Sequence, residues 1–225
     1  MKPQQDRHAN RHCAALTRVD VLVLLGVVVV LFLVLLWLGP YQEARLRAKV
    51  ARIVCIQNLR QIGVAHWIWR ADHDNQFPAS ALITNASMRG WIAAGNAVPF
   101  FQLMSNELFS PKVLVCPADR DHVATANLTN GLSAKNISYF FGLDATDTNA
   151  QSLLSGDDNF EISGVPVKPG LVEIPTNAPL SWTAARHNFA GNISLADSSV
   201  QQVTQSDLRR ALMQTGVATN RLLIP

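Results

Sequence analysis

Residues 21–38 form an unbroken apolar run that ends in Leu35-Leu36-Trp37-Leu38 and holds no charged or strongly polar side chain. About 20 apolar residues, each rising about 1.5 Å, cross the hydrocarbon core of a bilayer. A backbone inside lipid must satisfy its own hydrogen bonds, so such a segment is a helix. The run exceeds the apolar core of a cleavable secretory signal, which spans about 7–15 residues. It reads as a retained, single-pass anchor.

The chain beyond residue 40 suffices for one ordinary hydrophobic core, at about 100–200 residues per domain. The net charge of +3 and a pI of about 9.0 conceal an uneven distribution. Lys2, Arg7, Arg11 and Arg18 precede the run, and Arg45, Arg47, Lys49, Arg52, Arg60 and Arg70 follow it against Glu43 alone. Residues 71–225 hold nine basic and thirteen acidic side chains. The bases thus suit lipid headgroups, the remainder is mildly acidic, and no nucleic-acid partner is expected. Because both flanks are basic, counting Lys and Arg beside the span does not set its orientation.

Gly39-Pro40 closes the run and predicts a bend there, since proline removes a backbone donor. Leu46, Val50, Ile53, Val64 and Ile68 then share one stripe at helical spacing, with Gln57 as its polar member. Turn formers in residues 72–77, followed by Pro78, end the helix. Beyond it the patterns predict a helix around residues 100–108 and strands at 112–116, 137–143, 165–173, 192–196 and 200–203. The last two flank a hairpin turn at Asp197-Ser198-Ser199, residues 144–159 read as a polar loop, and Ser206 caps a short helix over 207–214. The expected class is α+β: a long N-terminal helix, transmembrane in its first half and amphipathic in its second, packed against a small antiparallel sheet head. The expected divisions are a basic leader 1–15, a transmembrane helix 16–40, its amphipathic continuation 41–77 and a globular head 78–225.

Candidate chemistry is sparse. Cys55 and Cys116 lie on the same side of the anchor. They are either a disulfide closing a loop of about 60 residues, contributing about 4 kcal/mol in the chain-entropy model, or two buried thiols. Asp144, Asp147, Asp157 and Asp158, with Asn149 and Glu161, supply hard oxygens suited to Ca²⁺, although their spacing departs from an EF-hand loop. His187 and Asp197 stand ten residues apart across a turn, and Asp72-His73-Asp74 reads as a solvated helix end. Gly-x-Ser-x-Gly, phosphate-loop and His-Glu-x-x-His motifs are missing from the sequence, so neither catalysis nor a cofactor other than Ca²⁺ is expected.

Separated pieces then fall in a telling order. Leu16-Thr17-Arg18-Val19-Asp20 leads into the apolar run. Cys55-Ile-Gln-Asn-Leu-Arg-Gln-Ile-Gly63 and Asp72-His-Asp-Asn-Gln-Phe-Pro78 follow. Val115-Cys-Pro-Ala-Asp119, Ser138-Tyr-Phe-Phe-Gly142 and Arg186-His-Asn-Phe-Ala-Gly-Asn-Ile-Ser-Leu-Ala-Asp197 complete the set. Together they resemble the type IV pilin-like proteins of type II secretion systems, in particular the pseudopilin-like proteins of Planctomycetes and Verrucomicrobia that carry a prepilin-type cleavage and methylation segment. The resemblance implies a structural subunit of the inner membrane, with its N-terminus cytoplasmic and its head periplasmic, whose partners are other pseudopilins and secretion components. It further implies cutting by a prepilin peptidase between Ala15 and Leu16, methylation of the new N-terminus, and Asp20 as the carboxylate that a neighbouring subunit's α-ammonium neutralises. Ala15 stands where the family has Gly, Leu16 where it has Phe, Arg18 where it has an apolar residue, and Asp20 where it has Glu. Those departures keep a second reading in play, an uncleaved signal-anchored surface binding module that enters no filament.

Overall fold

The computed structural model describes residues 17–81 and 85–225. The leader and the expected cut between Ala15 and Leu16 lie outside the described residues. The chain divides into two compact units, residues 1–46 and 47–225.

Helix α1 (Arg18–Ala71) is the principal element of the first unit and continues into the second. Its start is a capping box: Asp20 N donates to Thr17 Oγ1 at 3.2 Å while Thr17 N donates to Asp20 Oδ2 at 2.9 Å. Every described side chain from Val19 to Leu38 is exposed, and the helix is long and apolar enough to cross a membrane. Residues 18–40 alone would rise about 35 Å. Pro40 sits inside α1, at the position where the sequence predicts a bend. The helix continues past it because proline removes a single backbone donor, leaving the neighbouring turns bonded.

In the second unit, α1 runs to Ala71 and unwinds through residues 72–75, with Asp74 and Asn75 at positive φ, as the turn formers there predict. Short helices α2 (Pro78–Ala81), α3 (Ala86–Ala93), α4 (Val98–Leu103) and α5 (Ser105–Leu108) follow. The described strands are β1 (Tyr139–Gly142), β2 (Leu153–Asp157), β3 (Phe160–Ile162), β4 (Val165–Pro166), β5 (Gly170–Pro175), β6 (Leu180–Trp182), β7 (Ala190–Leu195), β8 (Val200–Thr204) and β9 (Thr219–Ile224), with helix α6 (Gln205–Gln214) before the last. A six-stranded antiparallel sheet runs β5-β9-β1-β2-β7-β8, and a smaller one runs β4-β3-β6. The α+β class with a sheet head is thus realised.

Successive strand residues point to opposite faces, and β1 shows how the large sheet uses both. Tyr139 and Phe141 join a core with Leu59, Ile62, Trp69, Phe100, Phe101 and Leu114, between the sheet and α1 with its short helices. Phe140 faces the other way, into a core with Phe160, Trp182, Ile193, Leu208, Leu212 and Leu222 beneath α6 and the small sheet. Full burial of one such side chain is worth about 1.5–3 kcal/mol.

Several local expectations change. Residues 112–116 hold no strand, because Pro111 opens a 3-10 turn (Pro111–Leu114) whose Lys112 N donates to the Ser110 hydroxyl at 3.3 Å. The polar loop expected at 144–159 contains β2, the strand between β1 and β7. Residues 165–173 split into β4 and β5, separated by residues 167–169, with Gly170 opening β5 at a φ of +130°. Helix α6 follows Thr204 instead of Ser206, and Thr204 Oγ1 donates to Asp207.

The buried face of α1 also differs from the aliphatic stripe. Cys55, Asn58, Leu59, Ile62, Gly63, Ala65, His66 and Trp69 are buried against the head, whereas Val50, Ile53, Val64 and Ile68 are exposed. At about 100° per residue the two sets lie roughly half a turn apart. Gly63 allows a close approach: a Cβ there would stand 2.9 Å from Ser194 Oγ on β7.

Candidate functional site

Where α1 crosses β2 and β7, the sheet presents polar side chains, Ser155, Asp157, Asn192 and Ser194, all of them buried. Four chain segments converge here. Cys55 comes from α1, Cys116 from the loop after the 3-10 turn, Asp157 from the end of β2 and His187 from the loop between β6 and β7. The Sγ, carboxylate and imidazole atoms of these four residues lie within 4.8 Å of one another, and all four side chains are buried.

The contacts are specific. Cys55 Sγ donates to Asp157 Oδ1 at 3.2 Å, and His187 Nε2 lies 3.3 Å from Cys116 Sγ and 3.6 Å from Asp157 Oδ2. Asn192 donates to Asp157 Oδ2 twice, from its backbone N at 2.7 Å and from Nδ2 at 2.8 Å. The same Nδ2 and the Tyr139 hydroxyl donate to Cys55 Sγ at 3.3 and 3.5 Å. The hydrogen bond with Cys116, then burial and the Asp157 charge, push the Cys55 thiol far up. The same hydrogen bond between the two thiols, helped by His187 against burial, holds the Cys116 thiol down. One sulfur of the pair is therefore poised to lose its proton before the other.

His187 is aimed by a strained loop. Arg186, Asn188 and Phe189 all adopt left-handed backbone, with φ of +61°, +54° and +59°. Such positions cost on the order of 1–3 kcal/mol each and persist where surrounding contacts over-determine them. Arg186 supplies those contacts: it pairs with Asp119 at 2.7 Å and Asp158 at 2.6 Å, and its Nη1 donates to Ser138 O at 2.6 Å. Arg52 of α1 donates to the His187 carbonyl. Burial works to raise the Asp119 carboxyl, but the His122 hydrogen bond and the Arg186 guanidinium outweigh it and hold it well below the usual range. On the outer side His187 lines a hollow of about 190 Å³ with Lys49, Arg52 and Asn188.

The structure places the other candidates as follows. Cys55 and Cys116 are brought together as free thiols, the second of the two arrangements the sequence left open. Each of the four calcium candidates has a separate partner among the described residues. Arg221 holds Asp144 through three hydrogen bonds of 2.6–2.8 Å, Arg70 lies 3.6 Å from Asp147, Asp158 meets Arg186, and Asp157 faces Cys55. Each carboxylate thus has its own cation or donor. His187 and Asp197 do not meet, since Asp197 closes the β7–β8 turn by accepting from Ser199 N at 2.8 Å. His73 stacks on Trp69 at 3.6 Å and its Nδ1 donates to Trp69 O at 2.7 Å, so the Asp72 cluster is a turn. Asp20 is engaged with Thr17.

No spacing rule links residues 55, 116, 157 and 187, so sequence reading missed the cluster. A signal was present: the pieces that carry the pilin-like resemblance supply Cys55, Cys116, Asp119, Tyr139, Arg186, His187 and Asn192, all within this one region. No protein-family pattern, curated protein or solved structure matches the chain.

Proposed function

We propose that the chain is a membrane-anchored, pilin-like structural subunit, a minor pseudopilin of a type II secretion system or a related filament. One observation carries the reading: over residues 50–69 a single helix buries one face in its own head and leaves a second, aliphatic face exposed. Val50, Ile53, Val64 and Ile68 on that outer face range from 40% to 58% exposed. A lone anchor has no use for such a stripe, whereas subunits stacked through their helices bury it. The lipid-length segment before it lets the subunit wait in the inner membrane, its head periplasmic and its N-terminus cytoplasmic. After peptidase cutting at Leu16, Asp20 exchanges its Thr17 contacts for a neighbour's α-ammonium and sets the axial register. The work is mechanical, without bond chemistry in this chain.

A photo-crosslinking residue at Val50 or Ile53, placed in the full chain in its native membrane, tests this. The expected products join this chain to another pilin-like helix. A chain that captures no protein from either position would favour the uncleaved surface binding module instead.

A further inference from the structure

We propose that Cys55, Cys116, Asp157 and His187 bind one Zn²⁺ in a closed, tetrahedral structural site that ties helix α1 to the head. This assignment stands apart from whether the chain assembles into a filament.

Geometry comes first. Zinc bonds of about 2.0–2.3 Å to N, O and S put tetrahedral neighbours about 3.3–3.8 Å apart. Cys116 Sγ lies 3.3 Å from His187 Nε2 and Cys55 Sγ 3.2 Å from Asp157 Oδ1, both close to such an edge, and one ligand atom from each of the four residues lies within 4.8 Å of all the others. The donor set selects the metal. Two sulfurs and an imidazole suit Zn²⁺, whereas Ca²⁺ requires six to eight oxygens. Four protein ligands leave no open position, which marks a structural site and not a catalytic one.

Charge supplies an independent argument. Asp157 has no exposed surface, and the groups bonded to it, Cys55 Sγ and the Asn192 backbone and side-chain amides, donate hydrogen bonds without carrying a positive charge, which a metal would supply. Arg186 is already shared by Asp119 and Asp158, so it neutralises Asp157 poorly. A divalent ion amid two thiolates, one carboxylate and a neutral imidazole leaves a single net negative charge. The Asn192 amide and the Tyr139 hydroxyl, already directed at Cys55 Sγ, and Asn192 N at Asp157 Oδ2 are donors placed to stabilise it. Such outer partners orient ligands and tune affinity.

Compartment supplies the third. With the head on the periplasmic side, as the proposed function places it, two thiols this close tend to form a disulfide, and a bound Zn²⁺ keeps both sulfurs as ligands. Each ligand sits on a different segment, so one ion pins α1, the Cys116 loop, β2 and the strained His187 loop together.

The test uses the full-length chain extracted from its native membrane in mild detergent. Elemental mass spectrometry should find one zinc per chain, and Cys55 and Cys116 should resist alkylation until a chelator is added. A chain stripped by the chelator and refilled with Co²⁺ should show thiolate-to-cobalt charge transfer and the intense ligand-field bands of a tetrahedral ion. Cys116→Ser should lose the zinc, and Asn192→Ala should weaken zinc affinity about 10–100-fold. If the serine variant does not fold, the cobalt spectrum of the unaltered chain still decides. Substoichiometric zinc together with freely alkylated thiols overturns the proposal. So does a mass lower by two hydrogens with the Cys55 and Cys116 peptides joined, or a cobalt spectrum lacking sulfur ligation.

Discussion

Two substitutions in α1, six residues apart, should have opposite consequences. Leu59 is fully buried against the head, so Leu59→Ala removes packed methyl groups and leaves a cavity, costing about 2–5 kcal/mol of stability. Ile53 is 58% exposed, and Ile53→Asp should change the stability of the lone chain by no more than about 0.5 kcal/mol. In a filament the balance inverts. Burying an isoleucine contributes about 1.5–3 kcal/mol, so losing it weakens each helix–helix contact about 10- to 150-fold at about 1.4 kcal/mol per decade. Urea unfolding of the detergent-solubilised chain, followed through the fluorescence of buried Trp69 and Trp182, reads the first quantity. Crosslinking yield from Val50 in the native membrane reads the second. The reasoning fails if Ile53→Asp destabilises the lone chain as much as Leu59→Ala does, or if it leaves the crosslinking yield unchanged.

Further outcomes follow from the core. His66 is fully buried, its Nδ1 at 2.8 Å from Ile62 O and its Nε2 without a partner, and burial lowers its pKa from 6.5 to about 4. The unfolded chain therefore binds a proton that the folded chain refuses between those values. Its contribution is intact above pH 6.5 and falls as the pH drops toward 4, by on the order of 3 kcal/mol at most. His66→Phe, beside Phe141, should remove that slope, so the difference between the two unfolding profiles over this window is the readout; parallel profiles would refute it. Gly142→Ala should cost about 3 kcal/mol, because a Cβ there would stand 2.0 Å from the Leu153 carbonyl of the paired strand; denaturant midpoints measure it, and an unchanged midpoint contradicts the close approach. Thr17→Val should cost about 1 kcal/mol of local helix stability by removing the capping box; faster amide exchange in the first turn of α1 is the sign, and unaltered exchange counts against it.

Much of the frame was legible in the residues. The apolar run, the helix end at residues 72–77, the aromatic strand β1 and the β7–β8 hairpin with Asp197 in its turn all follow from local pattern. The buried face of α1 was harder to read. Its contacting residues include Asn58, Gly63 and His66, which a hydrophobic pattern does not pick out, while the opposite face carries the large aliphatics. Hydrophobic periodicity picks the greasier side, and a helix with two jobs has two such sides. Strand β2 was hidden for a related reason. Its Ser155-Gly156-Asp157 reads as a loop, yet Gly156 makes room for the Phe140 ring and Asp157 enters the cluster with Cys55. Four ligands drawn from four segments leave no spacing to detect, so only the folded chain brings them into view.

The most direct test of the subunit reading is the N-terminus of the chain taken from its native membrane, determined by intact mass and N-terminal sequencing. A chain beginning at N-methylated Leu16 is predicted; it establishes prepilin processing and frees Asp20 to pair between subunits. A chain still beginning at Met1 would contradict the account, leaving a static anchor whose outer helix face has no filament to join.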